Sequence, residues 1–170
     1  MMKLLIASAN RGKIAELTDL LKGLGISLVS LTDYPGMPEI IEDGATFLEN
    51  ALKKASVACT YTGLPALADD SGLEVDALDG KPGVLSARFG LTPEERNRRL
   101  LAMLETVPDR LRTARFVCAL AFARQDGFTW TTTGIAEGII TRKPCGDGGF
   151  GYDPVFFYEP YGKTFAELSP

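Results

Sequence analysis

Leu64-Pro65-Ala66-Leu67-Ala68-Asp69-Asp70-Ser71-Gly72 carries a short apolar run straight into two adjacent carboxylates, a hydroxyl and a glycine. The apolar run reads as a buried strand, and Ser71-Gly72 reads as the turn that stops it. Two acids at the tip of a buried strand need a positive partner. One reading makes them a metal-binding or general-base carboxylate at the mouth of a site. The other makes them turn-forming aspartates in water. Neighbouring strand residues point to opposite faces, so only one of the two needs to face a site. The same alternation argues against a carboxylate-pair glycosidase built on Asp69 and Asp70.

Upstream, residues 3–7 form a β-type run that breaks at Ser8-Ala9-Asn10-Arg11-Gly12-Lys13. Ile14, Leu17, Leu20, Leu21 and Leu24 then fall on one helical face, with Gly25 as a stop. Strand, polar loop and helix can hold a phosphate on loop amides, with Lys13 adding charge and Ser8 and Asn10 adding hydrogen bonds. The same residues also make a plain turn capped by Asn10. This is not a Walker A loop, because Ala7 stands at the first glycine and Ile14 follows the lysine. Residues 26–31 read as a second strand. An acidic patch, Glu39-Ile40-Ile41-Glu42-Asp43-Gly44, leads into a helix reaching about Thr62, with Thr46 as N-cap and Glu49 closing a capping box. Phe47, Ala51, Ala55 and Ala58 form its apolar side. Glu42 alone reads as a partner of the helix dipole. Of Lys53 and Lys54, one can point into a site, although helix lysines are normally solvated.

Downstream, Leu73-Glu74-Val75 alternates as a short strand, and residues 79–83 form a turn. Thr92-Pro93-Glu94-Glu95 is a helix start, with Leu100, Leu101 and Leu104 inward and Arg96, Arg98 and Arg99 in solvent. Residues 115–123 and 128–137 flank Asp126-Gly127, the clearest hairpin signal in the chain. A long hairpin beside strand–helix units points to a mixed sheet. Gly146, Gly148 and Gly151 formally satisfy G-x-G-x-x-G, but Tyr152-Asp153-Pro154 follows instead of a helix. The loop can let backbone approach a planar ligand while Phe150 or Tyr152 stacks on it. It also reads as a surface loop with its aromatics tucked beneath.

The 170 residues suffice for one domain with a sizeable core, at 45% hydrophobic and 24% charged. A net charge of −4 gives no electrostatic case for nucleic acid or an anionic membrane. There is no histidine, which removes Ser-His-Asp and Cys-His catalysis and histidine-ligated zinc. Chemistry here must run on Asp, Glu, Lys, Tyr or Cys. Cys59, Cys118 and Cys145 are scattered and odd in number, and two lie in apolar runs, so they read as reduced core residues of a cytoplasmic protein. The longest apolar run, 116–123, falls well short of the ~20 residues that a membrane helix needs.

Ser8-x-Asn10-x-x-Lys13, Ala68-Asp69-Asp70-Ser71-Gly72-Leu73 and Gly148-Gly149-Phe150-Gly151-Tyr152-Asp153-Pro154 together resemble the signatures of the inosine triphosphate pyrophosphatases. The similarity takes in Thr46-Phe47-Leu48-Glu49-Asn50-Ala51, Pro82-Gly83-Val84-x-Ser86-Ala87-Arg88 and Gly162-Lys163-Thr164, and so spans the chain in order. It implies a single domain, 1–170, of α/β class: a mixed elongated central sheet with flanking helices and two lobes enclosing a nucleotide cleft. It also implies a cytoplasmic homodimer that cleaves dITP, ITP or XTP to the monophosphate and pyrophosphate with Mg²⁺. By position, Glu42 and Asp70 match the metal carboxylates, and Asp70 matches the general base. Ser8, Ala9, Asn10, Arg11, Gly12, Lys13, Lys54 and Ser71 match the phosphate-contacting positions. Phe150, Gly151, Tyr152 and Asp153 match the purine loop. Asp69 is expected to play a supporting structural part. The family pattern continues with a lysine-bearing helix and a Ser-His-Arg motif, where this sequence stops at Pro170. A catalytically silent nucleotide-binding protein is the competing expectation.

Overall fold

The computed structural model describes residues 2–169; Met1 and Pro170, the two ends of the expected domain, lie outside the described residues. Seven strands form one mixed sheet in the order β2-β1-β3-β4-β5-β6-β7, with helices flanking it. The chain divides into two compact units, Met1–Asp70 with Cys118–Thr133, and Ser71–Val117 with Gly134–Pro170.

In the first unit, β1 (Met2–Ile6) pairs in parallel with both β2 (Ile26–Ser30) and β3 (Ala66–Val75). Helix α1 (Arg11–Leu20) joins β1 to β2, as the pattern predicts, but it stops before Gly25. Gly23 and Gly25 both take positive φ, so the chain unwinds over two glycines, not one. The expected apolar face is thin: Leu17 is buried, whereas Leu20 and Leu24 are exposed. Helix α2 (Phe47–Thr62) follows the sequence closely. Thr46 caps it, Glu49 closes the box, and Phe47, Ala51, Ala55 and Ala58 are buried. Alanine at these positions leaves no side chain to hold the backbone away from its neighbours.

Ser71-Gly72 does not stop the strand. β3 runs without a break from Ala66 to Val75, absorbing the separate strand expected at 73–75. Gly72 has a strand-compatible backbone and is buried, so the pair serves the interior of a strand where composition suggested a turn.

In the second unit, α3 (Pro93–Met103) starts at its Thr92 cap. The Glu95 carboxylate closes back on the Leu91 amide, one residue earlier than a standard box. β4 (Thr113–Ala123) and β5 (Thr129–Ile140) form the expected hairpin; its turn end, with Gly127 at φ +85°, belongs to the first unit. The first half of β5 buries neither face: residues 129–135 are all exposed. The unit closes with β6 (Phe156–Tyr158) antiparallel to β5 and β7 (Lys163–Thr164) antiparallel to β6. Leu73, Val75, Leu100, Leu104, Ile140, Val155 and Phe156 form its core. Arg112, only 2% exposed, donates to the carbonyls of Leu104, Ile140 and Thr141 and so ties the helix end to the sheet.

The three cysteines are free. Cys59 is buried as expected, but Cys118 is exposed, because it falls on the outward side of β4 despite its apolar neighbours. Among the described residues no helix is long and apolar enough to cross a membrane.

Candidate active site

Strand alternation separates the two aspartates as the sequence requires. Asp69 Oδ2 meets Lys13 Nζ at 2.6 Å, while Asp70 turns to Asn50 and Lys54. Both carboxylates are buried, at 4% and 7% exposure, so neither is a turn aspartate in water.

The α2 N-terminus assembles the Asp70 side of the site. The Glu49 carboxylate accepts from the amides of Ala45 and Thr46, and Asn50 Oδ1 accepts from the Gly44 amide at 2.7 Å. These bonds pin the turn that carries Glu42. A Cβ at Gly44 would lie 2.7 Å from Asn50 Oδ1 and 2.9 Å from Glu49 Cβ, so the close approach requires glycine. One helical turn further on, Lys54 Nζ lies 2.8 Å from Glu42 Oε1 and 3.7 Å from Asp70 Oδ1. Lys53 points the other way and pairs with Asp43 at the surface. The acidic patch thus splits: Glu42 turns inward and Asp43 outward.

Burial pushes the Asp70 carboxyl up from its ordinary value, and the nearby Glu42 charge adds to this; Lys54 and the Asn50 hydrogen bond act in the opposite sense. Burial and the neighbouring Asp69 likewise raise Glu16, which stands on α1 beside Lys13. A raised carboxylate pKa makes a better proton acceptor.

Among the described residues no group of three or more His, Cys, Asp or Glu side chains is arranged to hold a metal ion. Glu42 and Asp70 converge instead on one cation, the Lys54 ammonium. Two hard carboxylate oxygens facing one positive centre fit an ion such as Mg²⁺, which takes one or two carboxylates and completes its octahedron with water and substrate phosphates.

At the β1–α1 turn, Asn10 caps the helix, its Oδ1 accepting from the amides of Gly12 and Lys13, while Ser8 Oγ accepts from the Asn10 amide. Ala9, Asn10 and Arg11 are exposed, and Gly12 and Lys13 are half-buried. The turn is therefore both capped and supplied with a charge that Asp69 holds.

The remaining predicted residues belong to the second unit. Ser71 is half-buried on β3. Phe150 is 40% exposed, whereas Tyr152 is buried, with its hydroxyl donating to the Ser86 carbonyl at 2.9 Å. Burial pushes the Tyr152 phenol up to about 12. Asp153 accepts from the Phe150 amide at 2.7 Å, and a Cβ on Gly149 would collide with that carboxylate. Asn97, buried on α3, donates to the Gly151 carbonyl at 3.1 Å. Sequence reasoning assigned no role to Asn50, Asn97 or Ser86. Asn50 carried a signal in its place four residues after the Thr46 cap and four before Lys54, and Ser86 in the family-like stretch 82–88; Asn97 carried none.

Asp70 on the sheet, Glu42 ahead of α2 and Lys54 within α2 thus bring two carboxylates and one ammonium together. The chain belongs to the Ham1 family, whose model matches residues 4–170. It is 54% identical to a dITP/XTP pyrophosphatase of Geobacter sulfurreducens over 171 residues, covering 99% of this chain and 86% of the relative. A HAM1 protein structure from Coxiella burnetii superposes with a TM-score of 0.90 at 42% identity, covering 100% of this chain and 88% of the other. A crystal structure of the nucleoside-triphosphatase / dITP/XTP pyrophosphatase from Mycobacterium abscessus gives 0.84 at 46% identity, covering 99% and 90%.

Proposed function

We propose that this chain is a nucleoside triphosphate pyrophosphatase, hydrolysing the non-standard purine nucleotides dITP, ITP and XTP to the monophosphate and pyrophosphate. The observation that carries the reading is identity of about half across nearly the whole chain to proteins of that named activity. Its chemistry is that of clearing altered purines from the nucleotide pool.

Asp70 is the general base in this reading, accepting a proton from the water that cleaves the α–β phosphoanhydride. Burial that raises its pKa favours that role. Mg²⁺ held by Glu42, Asp70 and phosphate oxygens would supply Lewis-acid stabilisation of the charge that develops on the phosphates. Lys54, between the two carboxylates, and Lys13, held by Asp69, offer positive charge to the same phosphates. The amides and side chains of 8–13, together with Ser71, complete the phosphate contacts. Phe150 offers an exposed ring for the purine, on a backbone fixed by Asp153 and Asn97. We further infer that residues 1–170 act as one functional domain, in a cytoplasmic homodimer, as the family resemblance implies.

The test is a product assay with Mg²⁺ across ATP, GTP, ITP, dITP and XTP. Pyrophosphate and monophosphate should appear, fastest from the three non-standard purines. Orthophosphate as the only phosphate product would overturn the reaction type, and equal rates on all five would overturn the selectivity.

A further inference from the structure

Asn50 is completely buried, and both ends of its amide are used. Its Oδ1 accepts from the Gly44 amide at 2.7 Å, and its Nδ2 donates to Asp70 Oδ2 at 3.0 Å. The orientation is fixed by chemistry: a backbone N–H can only donate and an ionised carboxylate can only accept, so the two ends cannot be exchanged. One side chain therefore spans from the turn two residues beyond Glu42 to the far oxygen of Asp70. With Oδ2 engaged, Asp70 keeps Oδ1 for the side where Lys54 and Glu42 lie.

We propose that Asn50 is the positioning residue of the cation centre. It sets the Asp70 carboxylate and the Glu42 turn in one geometry, so that both present oxygens to a single divalent ion. An alanine here leaves a buried amide and one carboxylate oxygen without their partner, and the two ligands then move independently. Residues that orient metal-binding carboxylates typically change metal affinity by about 10–100-fold when removed. The proposal rests on the assignment of Glu42 and Asp70 as the cation ligands, and the experiment separates the two.

The measurement is Mn²⁺ binding to the full chain, with free Mn²⁺ followed by electron paramagnetic resonance, alongside the Mg²⁺ dependence of turnover. Mn²⁺ serves as the probe because it shares the oxygen-rich octahedral preference of Mg²⁺. Asn50→Ala should weaken Mn²⁺ binding by about tenfold or more and raise the Mg²⁺ requirement by a similar factor. The nucleotide KM at saturating Mg²⁺ should change little. Gly44→Ala leaves the Asn50 side chain in place but pushes a Cβ against its Oδ1, and should weaken Mn²⁺ binding in the same direction. It decides the matter if Asn50→Ala does not fold. Unchanged Mn²⁺ binding in a folded Asn50→Ala, or in Gly44→Ala, overturns the proposal. Asp70→Asn separates the two failures. If it abolishes Mn²⁺ binding while the Asn50 and Gly44 variants bind normally, only the role of Asn50 fails. If it too binds normally, the assignment of the cation ligands fails with it.

Discussion

The ammonium of Lys13 lies 2.6 Å from the Asp69 carboxylate, and both side chains are largely removed from water. The residue before Asp70 on β3 is thus the counter-charge of the β1–α1 turn. Without it, a flexible lysine must be ordered anew each time it meets a phosphate, at a cost of up to ~2 kcal/mol of rotamer entropy. Asp69→Asn should therefore raise the nucleotide KM by roughly tenfold, with kcat changed much less. Steady-state kinetics with dITP check this, and an unchanged KM with a collapsed kcat would instead make Asp69 part of the chemical step.

Asp70→Asn should separate activity from stability. Removing the base should lower kcat by about 10²–10⁴-fold. Burial raises the native pKa of Asp70, so folding penalises its ionised form relative to the unfolded chain. Its contribution to stability is present below the ordinary carboxylate pKa and is lost as pH rises through the raised one. At neutral pH the neutral asparagine should melt no lower than the wild-type protein, as differential scanning calorimetry without Mg²⁺ would show. A large fall in Tm at neutral pH would mean that the ionised carboxylate is a structural asset.

Tyr152 should ionise late in an alkaline titration. Its phenol is raised from 10 to about 12 by burial, so its contribution to stability is intact below pH 10 and lost as pH rises through 12. Ultraviolet titration should resolve a late phenolate step that disappears in Tyr152→Phe. That variant also leaves the Ser86 carbonyl without its donor and should lose about 1 kcal/mol in urea unfolding. A late step that survives the substitution would belong to another tyrosine.

Much of this was legible in the sequence because it depends on local rules. Thr46 and Glu49 announce α2, Asp126-Gly127 announces the hairpin, and the alternation of a strand already separates Asp69 from Asp70. Ser71-Gly72 was misleading because glycine and serine favour turns in isolation, yet continuous sheet pairing keeps them inside β3. Leu20 and Leu24 had the right helical spacing, yet Leu20 is exposed at the end of α1 and Leu24 lies beyond it, also exposed. The partner of Lys13, the direction of Lys54 over Lys53, and the burial of Arg112 depend on contacts distant in the chain. Local periodicity does not say which side chains meet across elements, as Lys13 and Asp69 do.

Thr46, Asn50 and Lys54 stand at four-residue steps along α2, so the cap, the bridge to Asp70 and the lysine descend one helical row. The row works as a ruler. Inserting or deleting one residue between Thr46 and Lys54 would leave a perfectly good helix, yet it would swing everything beyond the change by ~100°. The lysine would then face a different neighbour, and the carboxylates would lose their common charge. The vulnerability of this centre therefore lies as much in counting as in chemistry: a length change that preserves every functional residue would still dismantle it.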